Sequence, residues 1–534
     1  MKNLYLTLAM LLASLSIQAQ YYWNEYDETE KMDLANELKY NFEIQTSTAD
    51  GKTPLWLNAN RHGLSSLEKQ NGYVRGSLIR SLRADSARRW GVGYGVDVAV
   101  PMHYTNDIII QQAFVEGRWL HGALTIGAKE YPMEMKNQTL STGGQTLGIN
   151  ARPVPQLRIS LPEYWRIPIL GGWFHLKGHV AYGLLTDDNW QRDFTQQQSK
   201  YTSGTRFHSK AGYLKIGNEE QFEPWSLEMG LEMGALFGGE SHIPMGDKMA
   251  VFKGDNGIKG MWHALMPGGA DVPEKGTEYQ NAEGDQLGSW MMRLNYDDET
   301  WAFRAYAEKF FEDHSMMLQL DYNGYGTGDE WNVKKERRFF LYNMKDILLG
   351  VELNFKYGTW IRNFVAEYFY SKYQSGPVYH DHTPGFPDHI SGRDDYYNHY
   401  IYAGWQHWGQ VMGNPLYRSP IYNDNGVIHI DNNRSIAYHL GVDGTPTEQL
   451  GYRVLVTYQN GLGTYDEPFT HMKHFVGFLT EASYQLPKGW KVKGAYAMDF
   501  GHLLGENWGV QLTISKSGFL KKKERLAKRK QHHI

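Results

Sequence analysis

The sequence predicts an all-β fold: a large antiparallel transmembrane β-barrel of about 16–18 strands, with short helical or irregular periplasmic or plug segments. Three observations predict it. Large apolar residues recur at every second position over runs of about ten residues. Tryptophan and tyrosine mark the ends of many of these runs, and the connections between them are either very short or very long. The chain has 534 residues, 54 Lys plus Arg against 59 Asp plus Glu, no Cys and a mean hydropathy of −0.56. Without cysteine there is no disulfide framework, thiolate metal site or cysteine nucleophile. The low mean hydropathy argues against a helical membrane bundle. It is compatible with a barrel, whose wall needs an apolar side chain only at alternate positions.

Along the chain, residues 1–19 come first. They have a cationic start at Lys2, an apolar run from Leu4 to Ile17 and a small Ala19 before Gln20. This is the pattern of a secretory signal peptide cleaved after Ala19 and predicts export; together with the barrel pattern the expected location is the outer membrane of a Gram-negative bacterium. Residues 20–45 are expected to form a periplasmic lead-in segment, acidic and weakly helical in pattern through Met32, Leu34 and Leu38. Residues 46–520 are expected to carry the barrel.

Within it, Trp90, Val92, Tyr94, Val96, Val98 and Val100 alternate with Gly91, Gly93, Gly95, Asp97 and Ala99. Runs from Phe174 to Leu184, Leu227 to Phe237, Leu349 to Phe355 and Trp508 to Ile514 repeat the pattern. A soluble sandwich gives the same period, but its strands average about five or six residues, whereas spanning strands need about nine to eleven. Trp90, Tyr104, Trp290, Tyr296, Trp301, Tyr357, Trp490 and Trp508 fit interfacial girdles. Glu228, Glu232, Arg293, Glu352 and Lys356 fall on the opposite face, which a wet or plugged lumen accepts. Asp297-Asp298-Glu299-Thr300 and Tyr357-Gly358-Thr359 are short turns, while a long external loop is expected near 374–433. The tail, 521–534, holds seven Lys and Arg against Glu524, or +6, leaving −11 for residues 1–520. In an exported chain such a run is a solvated tail or touches membrane-surface anions, and no nucleic-acid partner is expected.

Several blocks together resemble a family. Thr53-Pro54-Leu55-Trp56-Leu57-Asn58-Ala59-Asn60-Arg61-His62-Gly63 is similar to the opening of Wzi-type capsule-assembly outer-membrane proteins of the Bacteroidetes. Arg158-Ile159-Ser160-Leu161-Pro162-Glu163-Tyr164, Gln374-Ser375-Gly376-Pro377, Asp395-Tyr396-Tyr397-Asn398-His399-Tyr400, Gly404-Trp405, Gly413-Asn414-Pro415-Leu416 and Gly463-Thr464-Tyr465 extend the likeness. Leu55 stands where that family usually has Phe. The resemblance implies a non-enzymatic, lectin-like barrel that assists capsular polysaccharide assembly and attachment at the cell surface. Its partners would be capsular or other surface polysaccharide, outer-membrane lipid and other capsule-export components, with no cofactor.

Sugars are held by flat rings against their C–H faces and by polar groups at their hydroxyls. The loop near 374–433 supplies both. Arg393, Asp395, Tyr396, Tyr397, His399, Tyr400, Trp405 and Trp408 are the candidate glycan-binding residues, with Arg418 as a second cation for acidic sugars. The competing reading is that these aromatics pack the loop onto the barrel rim. His380, Asp381 and His382 lack a fixed convergence for zinc, and Asp321, Asn323 and Gly326 recover only part of a calcium loop, with Asn332 in the twelfth position. No metal site and no catalytic residue is assigned. There is no Gly-x-Ser-x-Gly elbow. Glu228 and Glu232, four residues apart on one face, sit about 13 Å from each other at ~3.3 Å per residue, too far for a glycosidase pair. A porin or solute channel on the same fold is the alternative, motivated by the ionisable inward positions.

Overall fold

The computed structural model describes residues 32–168, 170–218, 222–266, 284–312, 328–330, 333, 345–380 and 389–520; the side chains of 375–380 and 389–393 are not described. The signal peptide, residues 20–31 of the lead-in, the basic tail, Asp321, Asn323, Gly326, Asn332, Asp381 and the side chains of His380 and Arg393 therefore lie outside the described residues, as does His382.

Eighteen antiparallel strands form one closed sheet. In chain order they are β1 (Lys39–Asp50), β2 (Gln70–Arg80), β3 (Trp90–Met102), β4 (Ile109–Trp119), β5 (Gly122–Ala128) and β6 (Gln156–Arg166). There follow β7 (Phe174–Leu184), β8 (Arg206–Ile216), β9 (Trp225–Phe237), β10 (Asp285–Asp297), β11 (Trp301–Glu312) and β12 (Ile347–Phe355). The last six are β13 (Asn363–Tyr370), β14 (Ser435–Gly444), β15 (Leu450–Gly463), β16 (Pro468–Gln485), β17 (Trp490–Gly501) and β18 (Asn507–Phe519). Each strand pairs with its chain neighbours, and β1 closes the ring on β18 with Lys39 opposite Phe519 and Asp50 opposite Trp508. Closure leaves no sheet edge, so every ladder group of the wall has a partner without water. The wall begins at Lys39, inside the segment expected to be a lead-in. Of that segment, Asp33 and Asn36 are tied to the wall by Arg80, which donates to both carbonyls at 3.1 Å.

The period of two sets the two faces. Val96, Val100, Ile110, Val115, Ile126, Ile159, Leu349, Val351, Val510 and Leu512 are exposed on the outside, while Asp97, Glu116, Thr125, Glu352, Gln511 and Thr513 are buried inside. The glycines of β3 have a packing role. Gly91, Gly93 and Gly95 lie directly opposite Arg118, Glu116 and Phe114 of β4. A Cβ on Gly93 would meet the Glu116 carboxylate at 2.4 Å, and one on Gly95 the Phe114 ring at 2.6 Å. Large lumenal side chains lean across the space left by the small ones. Two positions depart from the expected outer stripe. Phe237 is covered by a helix, α1 (Ile258–Leu265), through Ala264, and Met233 packs against Phe311 and Trp290.

Turns at the end carrying both described termini are short, such as 120–121 and 298–300, and the long connections 129–155, 238–284 and 371–434 are all at the other end. At the terminus end Trp90 stacks on Trp119 at 6.0 Å, Tyr296 contacts Trp225 and Trp301 at 4.8 and 5.1 Å, and Trp490 begins β17. These rings form the girdle. Tyr104 is not part of it: it turns from the loop 103–108 onto Tyr73, ring edge to ring face at 6.2 Å.

The lumen is filled. Residues 51–69, 129–155 and 394–433 leave the wall at the long-loop end and turn back inside. Their apolar side chains, among them Leu55, Trp56, Leu140, Tyr396, Trp405, Leu416 and Tyr417, form one core with lumenal Phe207, Phe310, Leu348, Phe369, Leu455 and Phe475. A backbone buried this way needs hydrogen-bond acceptors and donors from its surroundings. Wall carboxylates provide the acceptors. Asp499 accepts from Leu55 N–H at 2.9 Å, Glu367 from Thr142 at 2.7 Å, Glu308 from Gln145 at 2.8 Å, Glu232 from Leu147 at 3.3 Å and Glu312 from Tyr397 at 3.2 Å. Glu308 also takes a fully buried ion pair from Lys136 at 2.6 Å. In the described residues the plug comes from inter-strand loops, and the loop expected outside is partly inside. The reason is its composition, since a run as apolar and aromatic as 396–417 is stabilised more by a core than by water.

Candidate functional site

The expected glycan-binding residues separate into buried and accessible groups. Trp405 is 0% exposed, donates its indole N–H to Thr146 O at 2.9 Å and stacks on Phe207 at 5.7 Å. Gly234 of β9 opposes it, and a Cβ there would come within 2.2 Å of the indole. Tyr396 donates to Asp346 at 3.2 Å, Tyr397 donates to the Gln145 carbonyl, and both rings meet Phe310 edge-on. These three side chains hold the plug to the wall and present no ring face at the surface.

Asp395 and His399 organise the turn between them and the surface. The Asp395 carboxylate accepts from Asn398 at 3.1 Å and faces His429 at 3.7 Å, which also touches Asp431 at 3.2 Å. Burial works against charge on His429, but the two carboxylates outweigh it and hold its pKa up at about 9. Burial also works against charge on Asp395, yet hydrogen bonds from His429, Asn398 and Asn433 bring its carboxyl below the usual range. Burial, with Lys200 nearby, pushes His399 down to about 3. Its neutral Nδ1 then accepts from Ile401 and Tyr402 N–H at 3.0 and 3.2 Å. Tyr400 is 66% exposed, and Trp408 is half-buried with the Arg152 guanidinium over its ring at 4.5 Å.

Around Trp408 the outer end carries a group that the sequence reading missed. Helix α2 (Asp188–Thr195) sits in the loop 185–205 and places Trp190 and Phe194 one turn apart, stacked at 4.8 Å. Trp190 packs with Ala403 and Ile428, against which Phe194 and Trp408 also lie. Apolar residues four apart in the Asp188–Thr195 stretch were the available signal. Trp190 and Phe194 line a cleft of about 700 Å³ at the long-loop end, together with Tyr104, Tyr422, Lys52 and Arg418. Arg418 is fixed by Asp431 at 2.8 Å and by the Tyr422 carbonyl at 2.9 Å, and Lys52 by Asp424 at 2.8 Å. Aromatic faces beside fixed cations suit a ligand with apolar faces, hydroxyls and acidic groups. Among the described residues no group of His, Asp and Glu is arranged to hold a metal ion.

No family model and no curated protein matches the sequence. Among solved structures the chain is similar to Wzi, an outer-membrane protein involved in group 1 capsule assembly in Escherichia coli and a carbohydrate-binding β-barrel. The identity is 11%, the match covers 90% of this chain and 84% of that one, and the TM-score is 0.52. Pseudomonas aeruginosa OprD (8% identity, 91% and 95% covered, TM-score 0.41) and OccK3 (11%, 92% and 98%, 0.43) are looser likenesses. At such identities the likeness is one of fold, and the fold of this chain is that of outer-membrane β-barrels.

Proposed function

We propose that this protein is a non-enzymatic, lectin-like member of the Wzi-type group that holds capsular polysaccharide at the outer surface of the cell. The observation that carries the reading is the plug: a barrel whose lumen is packed from wall to wall with its own loops is built to present a surface. The outer cleft then serves as the glycan contact, with Trp190 and Phe194 offering rings and Arg418 and Lys52 facing acidic groups, while Trp408 packs against the Trp190 cluster and Tyr400 is exposed outside the cleft lining. Tyr396, Tyr397, Trp405, Asp395 and His399 act in this scheme by fixing the loop that carries Tyr400 and Trp408, and Arg393 stays an expected contact. The alternative of a solute channel, motivated by ionisable lumenal residues, is weakened because Glu232, Glu308, Glu312 and Glu367 are engaged by plug N–H groups.

The test compares cell-bound and shed capsular polysaccharide in a deletion strain and the same strain complemented. Polymer made but released into the medium by the deletion strain, and retained on complementation, supports attachment. An unchanged cell-bound fraction removes the proposal. Stable conductance steps from the purified protein in planar bilayers would put the channel in its place.

A further inference from the structure

A second cavity, of about 520 Å³, lies at the opposite end of the barrel beneath the plug, where the turns 356–362 and 445–449 reach its rim. Its size is in the range of small-molecule sites. Arg61 comes down to it from the first plug segment, Arg453 from β15 and Lys493 from β17. Glu481 takes Arg453 at 3.2 Å and Lys493 at 3.4 Å, and Glu43 and Asp443 lie near enough to act on Lys493 and Arg453. Arg453 is further fixed by donating to Thr139 O at 2.8 Å. Arg61 has no ion pair among the described residues, and its Nε and Nη2 are buried without a hydrogen-bond partner, as is Nε of Arg453. Arg362 and Asp443 add one charge of each sign to the lining, and the Asp443 carboxylate accepts from Asn363 Nδ2 at 2.7 Å.

Guanidinium nitrogens buried without an acceptor are unfavourable, and the natural remedy is an anion. The neighbouring Asn60 adds a different demand. Its Nδ2 donates to Thr142 O at 2.8 Å, but its Oδ1 is buried with no donor. An oxyanion satisfies Arg61 and cannot satisfy Asn60 Oδ1; a hydroxyl can. Sugar units that carry an acidic group supply both.

We propose that this vestibule binds an acidic sugar unit, with its carboxylate or phosphate on Arg61 between Arg453 and Lys493 and a hydroxyl donated to Asn60. The site lies on the side of the described termini, away from the outer cleft, and so goes beyond surface attachment: the protein would grip acidic polymer or its precursor at the inner mouth too.

The experiment titrates the purified full-length protein in detergent with glucuronate, glucose 1-phosphate, glucose and inorganic phosphate by calorimetry. Glucuronate or glucose 1-phosphate should bind, glucose and inorganic phosphate at least about tenfold more weakly, and Arg61→Gln should lower the affinity by about tenfold or more. Preference between the two acidic sugars tells carboxylate from phosphate. Heat-modifiable migration on gels checks that the barrel is folded, and Lys493→Gln carries the same test should Arg61→Gln fail to fold. Inorganic phosphate binding as well as the sugars would reduce the vestibule to a plain anion site and overturn the proposal. So would unchanged sugar binding in a folded Arg61→Gln protein. In a Trp190→Ala/Trp408→Ala protein the Arg61-dependent component should remain even where an outer-cleft component is lost, so failure of the outer-cleft reading and failure here are separable.

Discussion

Replacing Trp405 by alanine tests whether the loop 394–433 is a plug anchored by this ring or a loop that rests loosely in the mouth. The indole is fully buried, stacked on Phe207 and donating to Thr146 O at 2.9 Å. Truncating a buried Trp to Ala costs about 3–5 kcal/mol through lost contacts and the cavity left behind, and part of that loss is the orphaned carbonyl of Thr146. Taking about 4 kcal/mol, the undocked population of the plug segment rises about a thousandfold while the closed wall persists. Hydrogen exchange read by mass spectrometry gives this directly, as faster exchange in peptides from 394–433 with wall peptides such as β3 and β15 unchanged. Trp405→Phe keeps a ring against Phe207 but leaves Thr146 unpaired, so it should fall between, at about 1–3 kcal/mol. Exchange in 394–433 within about threefold of the parent, in a barrel that still migrates as folded, would refute the anchoring argument.

Four further perturbations rest on the same geometry. Glu308→Ala leaves the fully buried Lys136 without its partner and should lower stability by about 3–5 kcal/mol in urea unfolding, whereas Glu308→Leu with Lys136→Met should recover much of the loss. Gly234→Ala places a methyl 2.2 Å from the Trp405 ring and should cost about 1–3 kcal/mol. Gly76→Ala, on the outer wall with nothing within 4 Å, should be close to neutral in the same assay. The His429 tether predicts a pH effect: its pKa is raised to about 9 from the ordinary 6.5, so its stabilising contribution is full below about pH 6.5 and is lost as pH rises through about 9. Once corrected for the intrinsic rate, hydrogen exchange around 395–433 should speed up across that window, and His429→Gln should abolish the change.

The wall was legible because its signal is local. Trp90 to Val100 alternate in sequence and alternate in space, and the acidic positions Glu228, Glu232 and Glu352 fall on the buried face expected of them. Which loops form the plug was not legible, because sequence alone does not say which side of an aromatic run meets water. Tyr396, Tyr397 and Trp405 have the residue types of a sugar-binding loop and equally those of a core, and what decides their place is Phe207, Phe310 and Gly234, far away in the chain. Glu232 likewise reads as an ionisable lumenal residue, and only the fold reveals that it accepts from the Leu147 N–H and the Tyr213 hydroxyl. Helix α2 lay within reach, as Trp190 and Phe194 are one helical turn apart, yet its short run is hidden between strands.

The pairing of β1 with β18 constrains the order in which the molecule is made. Lys39 finds Phe519 only after the whole chain has been delivered, so the seam joins the two most distant parts of the wall. All three plug segments belong to connections made before that seam, and each is tethered at both ends to strands of the ring. A ring already sealed would admit the bulky Trp56, Tyr397 and Trp405 only through its mouth. Winding the wall around its contents avoids that passage, with the plug as the mandrel. In this light the wall carboxylates are also registration marks, each matching one strand to one stretch of loop before the cylinder shuts.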